Sequence, residues 1–167
     1  MAMKTKRPET QRLDPIDRRM VALLQQDGRM PTVALAKDLG ISETTARTRL
    51  KRLLDKRIIR IVAVSDPLKL GFEITGNIKL SIDLARTDTI LTALSDIDAL
   101  TYVALTTGGT DIDVDFIVGS LAEFKALIFE QISRIKGIKS AETSLIVEIV
   151  KDRWDFGTAW DTSETAP

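Results

Sequence analysis

The spacing of apolar residues changes once along this chain, and that change limits the folds it can adopt. Before Asp66-Pro67, apolar residues recur every three or four positions, which is the period of amphipathic helices. After it, stretches such as Ile74–Leu84 alternate apolar and polar residues, which is the period of a half-buried strand. The 167 residues are therefore predicted to form a helical N-terminal part and a sheet-containing C-terminal part, joined by a hinge.

The composition excludes several classes of chemistry, because the chain contains no cysteine and no histidine. Disulfide scaffolds, zinc fingers, cysteine nucleophiles and imidazole mechanisms are ruled out. No apolar run is long enough to span a membrane, and the polar, basic N-terminus lacks the apolar stretch of a secretory signal. We therefore expect a cytoplasmic protein with no membrane partner, no metal and no cofactor.

Charge is divided between the two parts, although the chain as a whole is neutral. Residues 1–65 carry 15 Lys/Arg and 7 Asp/Glu, whereas residues 66–167 carry 9 and 17. A basic N-terminal part can face phosphates, and an acidic C-terminal part cannot. Charge alone leaves open the alternative that both parts are simply solvated.

The N-terminal part predicts three short helices, at about residues 15–27, 32–39 and 43–56. Each begins at residues that favour helix starts, and the first two end at a glycine. Ser42 is the predicted N-cap of the third helix. The buried side of that helix is predicted to consist of Ala46, Leu50, Leu53 and Leu54. The tight Gly40-Ile41 turn makes the second and third helices a helix-turn-helix.

The opposite side of the third helix is polar and basic. Short hydroxyl side chains lie near its start, and cations lie further along. Short polar side chains can reach base edges in a major groove, while long cations reach the phosphates beside it. The predicted DNA-binding residues are Ser42, Thr44, Thr45, Arg47, Thr48, Arg49, Lys51 and Arg52. A solvated basic helix is the alternative, and Arg49 has a further alternative role as a structural ion-pair partner.

The C-terminal part predicts the element order βαββαβ, which is the ferredoxin-like pattern with both helices on one face of the sheet. Strands are expected at about residues 74–84, 100–107, 111–118 and 141–150, with helices at about 88–97 and 120–136. The open face of the sheet is expected to carry Val103, Leu105, Ile117, Ile146 and Val150. An apolar open face predicts a partner, and two sheets packed back to back would form a two-fold dimer.

Six short motifs follow one another along the chain. They are Leu13-Asp14-x-x-Asp17, Leu24-Gln25-x-Asp27-Gly28-Arg29, Leu35-Ala36-x-x-Leu39-Gly40-Ile41-Ser42, Thr45-x-x-x-Arg49-x-x-Arg52-Leu53, Ile59-Arg60-x-x-Ala63-x-x-Asp66-Pro67-x-x-Leu70-Gly71 and Thr107-Gly108-x-x-Asp111. In this order they resemble the motifs of the Lrp/AsnC (feast/famine) transcriptional regulators of bacteria and archaea. The resemblance covers about residues 13–151. Arg57 stands where the family usually has glycine, so a left-handed end to the third helix is not expected.

The residues and the resemblance together predict an α+β protein of two domains. A winged helix-turn-helix is expected at residues 13–65, with a strand or wing at Ile58–Val64, and a ferredoxin-like effector and dimerisation (RAM) domain at residues 74–152. The remaining segments are a flexible arm at residues 1–12, a hinge at 66–73 and a tail at 153–167. The resemblance implies binding to double-stranded DNA as a homodimer, commonly assembled into octamers or larger rings.

The resemblance also implies a response to a small-molecule effector, typically an amino acid. The predicted effector-binding residues are Gly108, Gly109, Thr110 and Asp111, where the family often has Gly-Asp-Tyr-Asp. Glycine N–H groups can hold the carboxylate of an amino acid, and Asp111 can pair with its ammonium. The alternative is a plain hairpin turn that Asp111 caps.

The predicted function is therefore sequence-specific transcriptional regulation without enzymatic activity. One alternative is an architectural protein that compacts DNA with little sequence preference. Another is an enzyme similar to the siroheme decarboxylases, which share this pair of folds. Those enzymes are thought to use histidine, so here the chemistry would fall to Arg, Lys, Tyr102 or carboxylates.

Overall fold

The structure is a computed structural model that describes residues 13–153 and 155–158. The predicted arm at residues 1–12, together with residues 154 and 159–167 of the predicted tail, lies outside the described residues. The described chain separates into two units. The N-terminal domain contains residues 13–64, 151–153 and 155–158, and the C-terminal domain contains residues 65–150.

Three helices form the N-terminal domain, and they confirm the predicted helix-turn-helix. They are α1 (Pro15–Gln26), α2 (Thr32–Leu39) and α3 (Glu43–Asp55). Asp14 and Ser42 are the N-caps of α1 and α3, and Gly40 ends α2 in the left-handed conformation at φ 65°. The apolar sides of the helices meet in a core made of Leu13, Met20, Val21, Leu23, Leu24, Leu35, Ala36, Ala46 and Leu53.

The ends of two helices differ from the prediction. Helix α1 ends at Asp27 in an extended conformation rather than at a left-handed glycine. Arg57, expected to prevent a left-handed end to α3, itself has φ 54°. The Arg57 N–H donates to the Leu54 carbonyl at 2.9 Å, and the Ile58 N–H donates to the Leu53 carbonyl at 2.9 Å. This pair of bonds is that of a Schellman motif. Leu54 is exposed rather than buried, because it lies on the flank of the stripe that contains Leu53.

The segment Ile58–Val64, predicted as a strand or wing, forms no strand within the described chain. A strand needs a neighbour with which to exchange backbone hydrogen bonds, and no described segment pairs with this one. Ile58 and Ile59 pack against the N-terminal core, whereas the apolar side chains that follow are exposed. The segment is therefore a linker without regular secondary structure, and most of it lies exposed on the domain surface.

The C-terminal domain confirms the predicted ferredoxin-like fold. Its elements are β1 (Ile74–Ile82), α4 (Thr87–Ser95), β2 (Leu100–Leu105), β3 (Ile112–Val118), α5 (Leu121–Ala126) and β4 (Ile138–Leu145). All neighbouring strands are antiparallel, in the order β2-β3-β1-β4. Ser120 caps α5 as predicted, and the helix continues through a π turn, Leu127–Gln131, and a 3-10 turn, Ile132–Arg134.

The C-terminal core lies between the sheet and its helices. Its buried residues are Ile78, Leu80, Ile82, Ile90, Leu94, Ile112, Val114, Phe116, Val118, Leu127 and Ile132. Phe116 stacks on Phe124 with ring centroids 5.5 Å apart. Gly76 makes room for the Phe116 ring, because a Cβ on residue 76 would lie 2.7 Å from the Cζ atom of Phe116.

The pairing register corrects the predicted sheet in two places. Strand β4 covers Ile138–Leu145 rather than residues 141–150, because pairing with β1 ends where Leu145 meets Gly76. The register of β2 shifts between Leu100 and Tyr102, which places Val103 and Leu105 opposite buried residues of β3 and on the helix-covered face. Both were expected on the open face, and a bulge of this kind reverses side-chain direction.

The open face of the sheet is polar, contrary to the prediction. It carries Thr75, Asn77, Lys79, Ser81, Tyr102, Ala104, Asp113, Asp115, Ile117, Ser140, Glu142 and Ser144. Of the five apolar residues predicted on the open face, Ile117 is the one that lies on that face within a strand. Ile146 and Val150 follow the end of β4 and are exposed.

Candidate DNA and effector sites

Helix α3 is joined to α1 by a cluster of charges. Asp17, whose side chain is only 3% exposed, accepts hydrogen bonds from Arg49 at 2.9 Å and from Arg52. Arg49 also donates to Asp14, the N-cap of α1. A buried carboxylate needs such partners, because an unpaired charge in the interior is costly. Two of the predicted phosphate-binding cations, Arg49 and Arg52, therefore hold α3 in place.

The same cluster shifts the pKa values of two of its members. Burial raises the pKa of Asp14, but the hydrogen bonds from Arg49 and from the Asp17 N–H, with the charges of Arg49 and Arg52, outweigh it and lower that pKa below its ordinary value. The hydrogen bonds to Asp14 and Asp17 raise the pKa of Arg49. The ion pair between Asp14 and Arg49 is consequently complete at neutral pH.

The other six predicted DNA-binding residues are exposed on α3 and its cap. They are Ser42, Thr44, Thr45, Arg47, Thr48 and Lys51. The hydroxyls of Ser42 and Thr45 lie 2.8 Å apart, and the Thr48 hydroxyl donates to the Thr44 carbonyl at 2.9 Å. These bonds orient the hydroxyl groups and leave acceptor lone pairs for a partner. The structure thus brings together a row of short polar side chains.

Arg47 and Lys51 are held by surface ion pairs along α3. Arg47 Nη2 lies 2.7 Å from Glu43 Oε1, and Lys51 Nζ lies 2.6 Å from Asp55 Oδ2. The two cationic side chains are 72% and 74% exposed, and exposed pairs at this spacing contribute about 0.3–0.5 kcal/mol. A DNA phosphate can replace either carboxylate at little cost, so these two cations are available to a nucleic acid.

The four predicted effector-binding residues lie in the turn between β2 and β3. Gly108 has φ 130°, a conformation that favours glycine. A Cβ on Gly108 or Gly109 would meet no atom within 4 Å, so the turn is open to solvent. Within the described chain, neither glycine N–H donates a hydrogen bond. Two free backbone donors on an open turn can hold a carboxylate.

Asp111 connects this turn to the centre of the sheet. Its Oδ2 accepts from the Ile82 N–H at 2.8 Å, and its own N–H donates to the Leu80 carbonyl at 2.9 Å. Its Oδ1 accepts no hydrogen bond from the residues that the structure describes. Asp111 therefore fastens the turn to β1, and among the described residues its carboxylate caps none of the turn's own N–H groups. One carboxylate oxygen is left for a ligand cation. The neighbouring Thr110 carbonyl accepts from the Thr106 hydroxyl at 3.2 Å.

The role of Asp17 was not found from the sequence, although its position contains a signal. It lies three residues before Met20 and seven before Leu24, which places it on the apolar stripe of α1. A carboxylate on a buried stripe requires a buried cation or donor. Arg49 and Arg52 lie one turn apart on α3 and supply two.

Family comparisons account for most of the chain. Residues 13–54 match the AsnC-type helix-turn-helix domain, and residues 77–155 match the Lrp/AsnC ligand binding domain. This chain belongs to the Lrp/AsnC family. An HTH-type transcriptional regulator of Pyrococcus furiosus is 33% identical to it over 145 residues, which cover 86% of this chain and 97% of that protein.

Solved structures of other transcriptional regulators have the same fold. AsnC of E. coli aligns with a TM-score of 0.77 at 23% identity, covering 86% of this chain and 97% of that one. A Neisseria meningitidis transcriptional regulator, solved as a complex with L-Met, aligns with a TM-score of 0.75 at 23% identity, covering 85% and 94%. The predicted α+β fold class and the predicted function, transcriptional regulation through a helix-turn-helix and a ligand-binding domain, are confirmed. In the described part of the chain, no helix combines the length and the apolarity that a bilayer crossing requires.

Proposed function

We propose that this Lrp/AsnC protein is a dimer that reads DNA sequence with α3 and responds to an amino acid at the turn formed by Gly108–Asp111. The observation that carries the proposal is that the polar side chains of α3 fall into two groups, one bonded to α1 and one exposed to solvent. Arg49 and Arg52 hold the helix on α1, and the exposed row from Ser42 to Lys51 has no partner outside its own helix and cap among the described residues. The protein acts in the cytoplasm, and no enzymatic step is part of the proposal.

The contacts to DNA divide between base edges and phosphates. The residues placed toward base edges are Ser42, Thr44, Thr45, Arg47 and Thr48. Lys51 neutralises a phosphate, and Arg52, whose side chain is 44% exposed, adds a phosphate contact while it stays paired with Asp17. Arg49 acts through the position of α3, since its two carboxylate partners already engage it.

A second copy of the chain supplies the second recognition helix. Two copies related by a two-fold axis read half-sites about one helical turn, ~34 Å, apart. Support for a partner comes from the apolar run after β4, where Val147 is 99% exposed and Val150 is 88% exposed. Contiguous apolar surface of this kind marks an interface. A Val147→Lys, Val150→Lys double variant should sediment as a smaller species than the unaltered protein, and unchanged sedimentation would remove this run from the interface.

Selection of binding sites from a pool of random duplexes tests sequence-specific recognition. The unaltered protein should enrich a pseudo-palindromic site, and Thr48→Ala should change the enriched bases. The matched control is Thr92→Ala, because the Thr92 hydroxyl makes the same bond to a carbonyl one turn back, that of Asp88 at 2.8 Å, but in α4. Salt-sensitive binding with no enrichment would contradict base recognition and support the architectural alternative.

A thermal-shift screen against the standard amino acids tests the effector site. A ligand that binds the native protein at a hundred times its Kd stabilises it by about 2.7 kcal/mol. Asp111→Asn should abolish the shift but keep the stability of the free protein, because an amide oxygen can still accept from the Ile82 N–H. Asp115→Asn, which alters a carboxylate on the open face of the sheet, is the control. A normal shift in Asp111→Asn would place the effector elsewhere, and no shift with any amino acid would overturn the effector part alone.

A further inference from the structure

An apolar groove lies on the N-terminal domain between α1 and the linker that follows α3. Its volume, about 380 Å³, falls within the range of small-molecule sites, roughly 300–1,000 Å³. Val21 and Leu24 of α1 form one wall, and residues of the segment Ile58–Val64 form much of the other. Val62 and Val64 are 67% and 60% exposed, so the groove leaves apolar surface in contact with water. A molecule with an apolar body would bind favourably by covering this surface.

Arg60 is the charged residue among the described residues that line this groove. Within the described part of the chain, no Asp or Glu forms a salt bridge with it. Its guanidinium therefore offers N–H donors beside apolar side chains without a described anion to accept them. A carboxylate matches the guanidinium in shape, because the two groups can form a pair of parallel hydrogen bonds. The charge of the groove thus complements a carboxylate.

The other polar side chain of the described lining, Gln25, is already engaged. Its Nε2 donates to the Gly157 carbonyl at 3.3 Å, and its Oε1 accepts from the Gly157 N–H at 3.0 Å. The described lining contains no Asp or Glu, so a ligand ammonium would find no carboxylate there. The turn at Asp111 differs, because one carboxylate oxygen is left there for a cation. The groove therefore favours an acid that has no amino group.

We propose that this groove binds an aliphatic carboxylic acid, with the carboxylate on Arg60 and the alkyl chain against Val21, Leu24 and Val62. The site is separate from the turn proposed for an amino acid, so two kinds of small molecule bind one chain. None of the described lining residues belongs to α3, so the acid leaves the polar face of that helix free. By contacting α1 and the linker together, the acid holds the linker on the helix that anchors α3 through Asp17.

Isothermal titration calorimetry of the full chain with octanoate tests the role of charge. Octanoate should bind, and Arg60→Gln should weaken its binding about tenfold or more, because hydrogen bonds to a charged group are lost. Arg29→Gln is the matched control, since Arg29 is an exposed arginine of the same domain that does not line the groove. Arg60→Glu should lose octanoate binding and gain binding of octylamine. No octanoate binding, or equal affinity in Arg60→Gln and the unaltered protein, would overturn the proposal.

The length of the acid tests the apolar walls. Each additional buried methylene should strengthen binding about fourfold, so octanoate should bind at least tenfold more tightly than hexanoate. Val62→Glu places a carboxylate in the wall at an exposed position, where the fold tolerates it, and should abolish octanoate binding. Equal affinities for the two acids would contradict an alkyl chain lying in the groove.

Methyl signals in nuclear magnetic resonance spectra locate the bound acid. Octanoate should shift the signals of Val21, Leu24 and Val62 and leave that of Val147, an exposed valine of the C-terminal domain, unchanged. Leucine, which adds an ammonium, should leave the three groove signals in place. If leucine shifts them, the groove is an amino-acid site and the proposal is wrong. If octanoate shifts none of them and Val62→Glu makes the protein sediment as a smaller species, a second copy fills the groove and the proposal is equally wrong.

Discussion

The two domains hold their elements together by different means. In the C-terminal domain, the buried core described above is made entirely of apolar side chains. In the N-terminal domain, the described core also encloses the carboxylate of Asp17, which pairs with two arginines of α3. Apolar packing depends on volume and shape, whereas an ion pair fails when either partner is lost. The helix that carries the DNA-binding face is thus positioned by charge as well as by packing.

The largest effect is expected in the apolar domain. Phe116→Ala removes a fully buried ring that stacks on Phe124, and it should lower the free energy of unfolding by about 3–5 kcal/mol. Urea unfolding measures the loss, and Ile117→Ala, on the open face, should cost much less. A similar loss of unfolding free energy in both variants would show that the apolar core between the sheet and the helices is not what stabilises this domain.

Breaking the charged cluster should have a comparable but smaller effect. Asp17→Asn keeps the shape of the side chain but leaves Arg49 and Arg52 without their shared anion, so the free energy of unfolding should fall by about 2–4 kcal/mol. Asp38→Asn is the control, because the pair of Asp38 with Arg19 is exposed. Circular dichroism during thermal unfolding compares the two. If Asp17→Asn costs no more than Asp38→Asn, the cluster does not position α3.

The N-terminal domain could be predicted further from sequence than the sheet. Caps and turn glycines such as Ser42 and Gly40 act within a few residues, so local patterns identify the helices and the exposed face of α3. The side of Val103 and the end of β4 depend on which residues pair across strands, and a bulge changes that pairing without a local signal. The engagement of Arg49 and Arg52 likewise depends on a carboxylate 32 to 35 residues away.

Arg57 offers a change that should stabilise the charged domain. A non-glycine residue at φ 54° carries a steric cost of about 1–2 kcal/mol, which a glycine at this position avoids. Glycine also has more conformational freedom in the unfolded chain, and this freedom offsets part of the gain in folding free energy. Arg57→Gly should therefore raise the free energy of unfolding by about 0.5–1 kcal/mol. The control is Lys56→Gly at φ −81°, which should destabilise. Destabilisation by Arg57→Gly would indicate that the arginine side chain makes a stabilising contribution that outweighs its backbone strain.

The smallest effect concerns pH and isolates the outer part of the charged cluster. Because the pKa of Asp14 is lower in the folded protein than in the unfolded chain, its ionised form stabilises the fold above the unfolded value, about 4, and this contribution disappears as pH falls through the folded value. The Asp14 side chain is 44% exposed, so solvent screening limits the contribution to less than about 1 kcal/mol. Asp14→Asn keeps an N-cap acceptor and removes the charge.

Between pH 7 and about 3, the unaltered protein should lose more stability than the Asp14→Asn variant, as measured by urea unfolding at each pH. Parallel losses would show that Asp17 alone secures Arg49, and the charge dependence of α3 would then rest on the buried carboxylate.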